Sequence, residues 1–391
     1  MHIAIFAWEA LEGIAVGGGA VYASRLAAAL ARAGHRVRLF TRMGEGQAMD
    51  EVVGGVFVRR CPWDGKRGFV DEVEALADSF AHYYADSIKA DGGYDLIHCH
   101  EWLTVNAGLK AQRIAPARLA VGFHSTEWAR TGVWPDSGDS ARIAGIERAG
   151  IDGADAVIAA SYWARRKIAE QFHPPDWKCE VVYHGVDVDA LETMTPEAME
   201  VRRGAGLANG APSLLFAGRF SSHGGGDIAA RACGLAARAF PSARFLFAGE
   251  GALEESMRRD AGPNASFLPL YARGVPSEYY QAVDLVLAPF RRDYNGRAVM
   301  PAWRAAKPVA VLRGTVPSEF VMHGTNGWTV GDSPEELAAV IVDAFNHPEQ
   351  TAWMGRNGRV AAETAFSWDE AARRLLRAYT RKDRLMRNAM R

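Results

Sequence analysis

The sequence carries no excess of either charge. Its 45 Lys and Arg side chains stand against 46 Asp and Glu, for a formal charge of −1. A general role in coating nucleic acid is thereby excluded, although a local basic patch is not. Cysteine is scarce, with only Cys61, Cys99, Cys179 and Cys233. None forms a CxxC pair, and the spacings match no zinc motif. The expectation is reduced, mostly buried thiols in a cytoplasmic protein. No stretch is long and apolar enough to span a bilayer. The opening Met1-His2-Ile3-Ala4-Ile5-Phe6 has no Lys/Arg-rich segment, and Glu9 and Glu12 interrupt the apolar run. It reads as a first strand, not a signal peptide. Repetition is also absent. The 40 glycines are scattered rather than periodic, which excludes collagen and flexible low-complexity chains.

What remains is an ordinary globular composition, 49% hydrophobic and 23% charged over 391 residues, enough for two or three domains. Short apolar runs alternate with amphipathic helical stretches. Strands are expected at Ile3–Ala7, Val37–Thr41, Asp95–His98, Leu119–Phe123, Ala156–Ala159 and Glu180–Tyr183. Ala20–Ala33 is expected to be helical, with Gly34 as its stop. The pattern restarts after a polar segment, Asp187–Asn209, with strands at Ser213–Ala217, Phe245–Ala248, Asp284–Ala288 and Val309–Leu312. Pro334–Arg391 reads as helices without a strand. This is the βαβ pattern of doubly wound parallel sheets, here two Rossmann-like domains.

Several motifs sit at predicted strand ends. Gly17-Gly18-Gly19 lies between the first strand and first helix, where backbone amides and the helix dipole can hold an anion. Its spacing is not GxGxxG, so a dinucleotide reading is weak, and a plain flexible loop is equally open. His98-Cys99-His100-Glu101-Trp102 closes a strand, with His98 and His100 on one face. Metal ligation lacks a third ligand at a supporting spacing. Polar groups at a crevice beyond the strand ends are the alternative. His124, after the next strand, has the chemistry to bond a sugar hydroxyl, or it is an ordinary satisfied loop histidine. Arg219 follows the first strand of the second half, where it can hold a diphosphate or lie on the surface. Trp8, Trp102, Trp128, Trp134 and Trp163 offer flat faces for sugar rings, with domain packing as the ordinary alternative. Glu127–Ser140 reads as a mobile loop.

Taken in order, these pieces resemble the GT-B glycosyltransferases, specifically the retaining family 4. The markers are Gly17–Gly19, Asp95–Trp102 (DLIHCHEW), His124, Gly153–Ser161 (GADAVIAAS) and Val182–Asp187 (VYHGVD). They continue through Phe216–Arg219 (FAGR), Ala248–Gly251 (AGEG), DLVLAPF, KPVAV, GTNGW and Phe366–Trp368 (FSW). The resemblance implies an α/β protein with two Rossmann-like domains facing a cleft, spanning 1–186 and 187–367. A C-terminal helix, 368–391, would cross back to the first domain. It implies a nucleotide-sugar donor of the UDP, GDP or ADP type, and a sugar-containing, small-molecule or lipid-linked acceptor. It implies no metal, no further cofactor and no nucleic acid partner.

The catalytic set implied is His124, Asp293 and Arg219. Donor contacts are expected from Gly17, Gly18, Gly19, Arg219, His223, Gly224, Gly249, Asp293, Asn295 and Gly296. Acceptor contacts are expected from His100, Trp102, Glu127 and Trp128. The basic, amphipathic C-terminus is compatible with peripheral contact with anionic lipid, or with an ordinary solvated helix face.

The sequence departs from the family pattern at three places. His184 stands where the family usually has Asn. Gly224 stands where a phosphate-binding Lys is expected, with His223 or the cluster Arg291, Arg292 and Arg297 as substitutes for its charge. Alternatively, Gly224–Gly226 bind phosphate through backbone N–H groups. Of two family glutamates eight positions apart, the first becomes Asp293 and the second Pro301, whose side chain accepts nothing. Three functions follow: an active retaining transferase with an atypical donor grip, a GT-B enzyme using a sugar phosphate or making a non-glycosidic coupling, and a non-catalytic binding protein.

Overall fold

The computed structural model describes residues 1–63, 65, 68–187, 194–207, 210–268, 276–292 and 299–381. The chain divides into two compact units. One comprises Met1–Gly185 with the chain from Phe366, and the other Val186–Ala365.

The first unit holds β1 (His2–Ala7), β2 (Arg36–Arg42), β3 (Asp50–Val53), β4 (Val56–Cys61), β5 (Leu96–His100), β6 (Arg118–Phe123), β7 (Ala156–Ala159) and β8 (Cys179–Val181). They form one sheet in the order β3-β4-β2-β1-β5-β6-β7-β8. Every neighbouring pair is parallel except β3–β4. The central strands are buried on both faces, which is why they read as unbroken apolar runs. Strand β1 feeds outward to β2, whereas β5 lies on its other side. The order therefore reverses between β1 and β5, and such a reversal opens a ligand crevice at the carboxyl ends of the strands. The glycine loop follows β1, and His100 ends β5.

The second unit repeats the plan with β9 (Ser213–Ala217), β10 (Arg244–Ala248), β11 (Ala265–Leu268), β12 (Leu285–Ala288), β13 (Val309–Leu312) and β14 (Gly327–Val330). All are parallel, in the order β11-β10-β9-β12-β13-β14. Its reversal lies between β9 and β12, so Gly218-Arg219 leaves the sheet at the corresponding point.

The sequence reading has no counterpart for β3, β4, β11 and β14. The first two form a hairpin turned by Gly54 (φ 57°) and Gly55 (φ 82°). Two consecutive positive φ values need residues without a Cβ, so the Gly-Gly between Val-Val and Val-Phe was the available signal. β11 is a four-residue edge strand with no fully buried residue.

The helix Trp368–Tyr379 packs on the first unit. Trp368, Ala371, Ala372, Leu375, Ala378 and Tyr379 are buried at helical spacing, the helix packing against the helix Gly18–Arg32 and β7. Ser367 caps it by accepting from the Glu370 amide at 3.2 Å. Arg32 bonds Asp369 at 2.7 Å, and the Tyr379 carbonyl accepts from Arg118 at 3.0 Å. Arg374 and Arg373 both pair with Glu370, and Arg381 pairs with Glu180. A Cβ on Gly185 would lie 2.6 Å from the Trp368 Cα, so the VYHGVD and FSW segments are in direct contact. All four cysteines are buried and unpaired. Among the described residues, no helix is long and apolar enough to cross a membrane.

Candidate functional site

Three histidines from three strand ends meet in the first unit. His100 closes β5, His124 follows β6, and His184 lies beyond β8. The Nε2 of His124 is 3.1 Å from the Nε2 of His100 and 2.8 Å from the Nε2 of His184. The Tyr22 ring, from the helix Gly18–Arg32, stacks on His100 at 4.7 Å and lies 4.4 Å from His184. Trp368 meets Tyr22 edge-on at 5.9 Å. Burial holds His100 neutral, well below the usual imidazole range, with His124 and His98 adding repulsion.

Glu101 sits beneath this group. Its backbone, at φ 66° and ψ 167°, occupies a region L residues rarely adopt, at a cost of about 1–3 kcal/mol. The turn aims its carboxylate at His124. The Oε1 accepts from the His124 backbone N–H at 2.7 Å and lies 3.5 Å from the ring Nδ1. Burial raises Glu101 to about 7, opposed by Arg130 at 4.0 Å. The ligand atoms of His100, Glu101 and His124 lie within 4.8 Å of one another.

His98, two residues back on the strand, does not join them. It is fully buried, bonds the Tyr379 hydroxyl at 2.9 Å through Nδ1, and is pushed down to about 4 by desolvation. It ties the last helix to the sheet.

The glycine loop lies beside the histidines. The Glu9 Oε2 accepts from the amides of Val16 at 2.9 Å and Gly17 at 2.7 Å. A Cβ on Gly19 would stand 2.5 Å from the Glu9 Oε1 and 3.3 Å from the His100 Cε1. The loop therefore already presents its donors to a carboxylate, the kind of charge a helix N-terminus attracts. Glu9 was not among the expected site residues, and nothing in its spacing marks it.

Two expected acceptor contacts have other partners. Trp102 is buried in the first unit's core, edge-on to Phe69. Glu127 is buried, accepting from Arg130 at 2.8 Å and from the Ser140 hydroxyl at 2.8 Å. Glu147 lies next to it, fully buried, accepting from the Glu127 amide at 2.8 Å. Trp128 is half-buried, packed against exposed Trp134 at 5.5 Å and under the Lys167 ammonium at 4.9 Å. The expected mobile loop is helical over Glu127–Thr131 and again from Gly138, so only the residues between are irregular.

On the second unit, Arg219 is exposed, and among the described residues nothing accepts from its guanidinium. His223 is also exposed. Gly224 is buried, and a Cβ there would lie under 3.0 Å from the Arg219 carbonyl oxygen. No lysine fits this backbone. The substitutes for its charge fare differently. Arg291 is locked between Asp227 at 2.8 Å and Asp332 at 2.6 Å, and the Gly224–Gly226 amides bond Ser221 and Ser222 instead. Arg292 is exposed, and Arg297 lies outside the described residues. Gly249 supports the loop from below, since a Cβ there would strike the Gly218 carbonyl. Asp293, Asn295 and Gly296 lie outside the described residues. Pro301 lies in the helix Val299–Arg304.

Both halves match known family models. Residues 17–185 match the Glycosyl transferase 4-like domain, and residues 211–347 match Glycosyl transferases group 1. The chain belongs to the GT4-like glycosyltransferases. An uncharacterized glycosyltransferase of Methanocaldococcus jannaschii is 25% identical to this glycosyltransferase, covering 97% of the chain and 98% of the relative. A D-inositol 3-phosphate glycosyltransferase of Catenulispora acidiphila is 28% identical, covering 93% and 90%. Among solved structures, sucrose-phosphate synthase from Thermosynechococcus elongatus superposes with a TM-score of 0.75 at 20% identity, covering 98% and 99%. Anabaena HepE, solved with UDP, superposes at 0.68 with 20% identity, covering 96% and 98%. These likenesses establish the GT-B fold for the two parallel-sheet units.

Proposed function

We propose that this glycosyltransferase moves a sugar from a nucleotide-sugar donor to a hydroxyl acceptor with retention of configuration. The observation that carries the reading is the pairing of family membership across both halves with an exposed Arg219 at the β9 end. A guanidinium there neutralises the diphosphate as it leaves. His124, held in one orientation by Glu101, contacts the transferred sugar. In the transfer, the acceptor oxygen bonds the anomeric carbon as the bond from that carbon to the diphosphate oxygen breaks. The acceptor proton passes to the departing phosphate on the same face. Asp293 completes the set by holding hydroxyls of the transferred sugar.

The donor grip is atypical. The loop at Gly224 is closed to any side chain, so Arg219 acts without the companion lysine of the family pattern. HepE was solved with UDP and with UDP-glucose, which makes uridine donors the first to test. The experiment is a thermal-shift screen of UDP-, GDP- and ADP-sugars and of sugar phosphates, followed by a product-release assay. Binding that stabilises the folded state names the donor class. A shift with sugar phosphates alone points to the phosphorylase-like reading, and binding without turnover to a binding protein.

A further inference from the structure

Glu9 fills a place suited to an anion from outside the chain. It follows β1, and its Oε2 accepts from the amides of Val16 at 2.9 Å and Gly17 at 2.7 Å. Gly17 precedes the helix Gly18–Arg32 and offers it no side-chain cap. The carboxylate therefore lies where open amides and the helix dipole favour negative charge. The glycines leave it room. A Cβ on Gly17 would stand 3.7 Å from the Glu9 Oε1, and one on Gly19 only 2.5 Å from it. An entering phosphate needs the same amides and the same space, and it meets a like charge there.

The hold on Glu9 is light. Both bonds reach one oxygen, and Oε1 accepts none among the described residues. The side chain is only half-buried. A second partner stands close by. Arg42, at the end of β2, donates from Nε to the carbonyl of Trp8, the residue before Glu9, at 2.5 Å. Its guanidinium lies over the Trp8 ring at 4.0 Å and the Trp63 ring at 4.9 Å. Its Nη2 is buried and has no acceptor among the described residues, which is costly for a charged donor. Burial lowers Arg42 to about 10, opposed first by the charge of Glu9 and then by that of Glu72.

We propose that Glu9 is a latch on the glycine loop. It occupies the Val16 and Gly17 amides in the free protein and yields them to the phosphate groups of the donor, its carboxylate then turning to Arg42. The inference rests on the nucleotide-sugar reading above, with the glycine loop as one of the donor contacts. The latched form is the one the structure holds, so apparent affinity is reduced by the share of loops that stand open.

The test is calorimetric titration of the full-length protein with pyrophosphate and with UDP, wild type beside Glu9→Gln. Glutamine keeps an oxygen for the two amides, and so the shape of the loop, but it lacks the charge. A neutral acceptor holds an amide about half as strongly as a charged one. Glu9→Gln should therefore bind both probes roughly tenfold tighter. The Val16 and Gly17 amide resonances should shift as pyrophosphate is added. Arg42→Gln should bind both probes more weakly than wild type, and Glu9→Gln should abolish that loss in the double variant. Equal or weaker binding by Glu9→Gln would overturn the latch and make Glu9 a brace of the loop, as would unshifted Val16 and Gly17 resonances. A folded Arg42→Gln that binds like wild type removes Arg42 from the exchange, and if that variant does not fold, Glu9→Gln decides alone. Tighter pyrophosphate binding by Glu9→Gln with no response to UDP upholds the latch and counts against the nucleotide reading instead.

Discussion

Gly224 offers the sharpest test of the donor grip, because the obvious repair is predicted to fail. A lysine at 224 matches the family pattern and adds the missing charge. The structure sets its Cβ under 3.0 Å from the Arg219 carbonyl oxygen, with the Ser221 hydroxyl also close at 3.4 Å. No rotamer relieves an overlap at Cβ, so backbone must move. The next residue cannot yield easily, since Gly225 holds φ at 70° and faces the Pro289 carbonyl as closely. Forced overpacking of this kind costs about 1–3 kcal/mol. At about 2–4 °C per kcal/mol for a unit of this size, Tm should fall by roughly 2–12 °C. Gly224→Ala carries the same Cβ without the charge and should fall by a similar amount. The assay is calorimetry of Gly224→Lys, Gly224→Ala and wild type, alongside donor affinity. The shift also carries the Arg219 backbone with it, so Gly224→Lys should bind donor no better than wild type. A Gly224→Lys protein of unchanged Tm and tighter donor binding would refute the argument.

Three further outcomes follow from the same geometry. Arg219→Ala should weaken donor binding by about 1.5–3 kcal/mol, roughly ten- to a hundredfold in Kd by calorimetry, with Tm unchanged. Glu147 is raised to about 8 by burial, so between the ordinary carboxylate range and that value the folded protein holds a proton the unfolded chain has lost. Stability therefore falls as pH rises through this window, on the order of 1 kcal/mol per pH unit, and Glu147→Gln should lose less Tm than wild type between pH 5 and 8. The opposite trend of the buried histidines is common to both proteins and cancels in the difference. Glu9→Ala frees the Val16 and Gly17 amides, so hydrogen exchange there should accelerate, and unchanged exchange would mean that the carboxylate does not hold the loop.

Apolar runs buried on both faces, helical stripes and glycine punctuation are local signals, and they made both parallel sheets legible in the sequence. The strands it left out are the four-residue edges β11 and β14 or lie in the glycine-turned hairpin, whose outer strand β3 is exposed throughout. The position of His124 after β6 and of Arg219 after β9 was likewise legible, because strand ends in such sheets are where ligands bind. What the sequence by itself could not decide was which polar groups meet. His98 and His100 share a strand face, yet one bonds Tyr379 from the far end of the chain and the other His124. Trp102 and Glu127 look like surface contacts and are buried, Trp102 against Phe69 from an earlier helix and Glu127 among Arg130, Ser140 and Glu147 of the segment that folds back on it. Gly224 reads as a lost lysine and is instead a place where backbone meets backbone. Local pattern fixes secondary structure through period and turn chemistry. Only the tertiary fold brings β5, β6 and the segment after β8 together, and so sets the His124 Nε2 within reach of both His100 and His184.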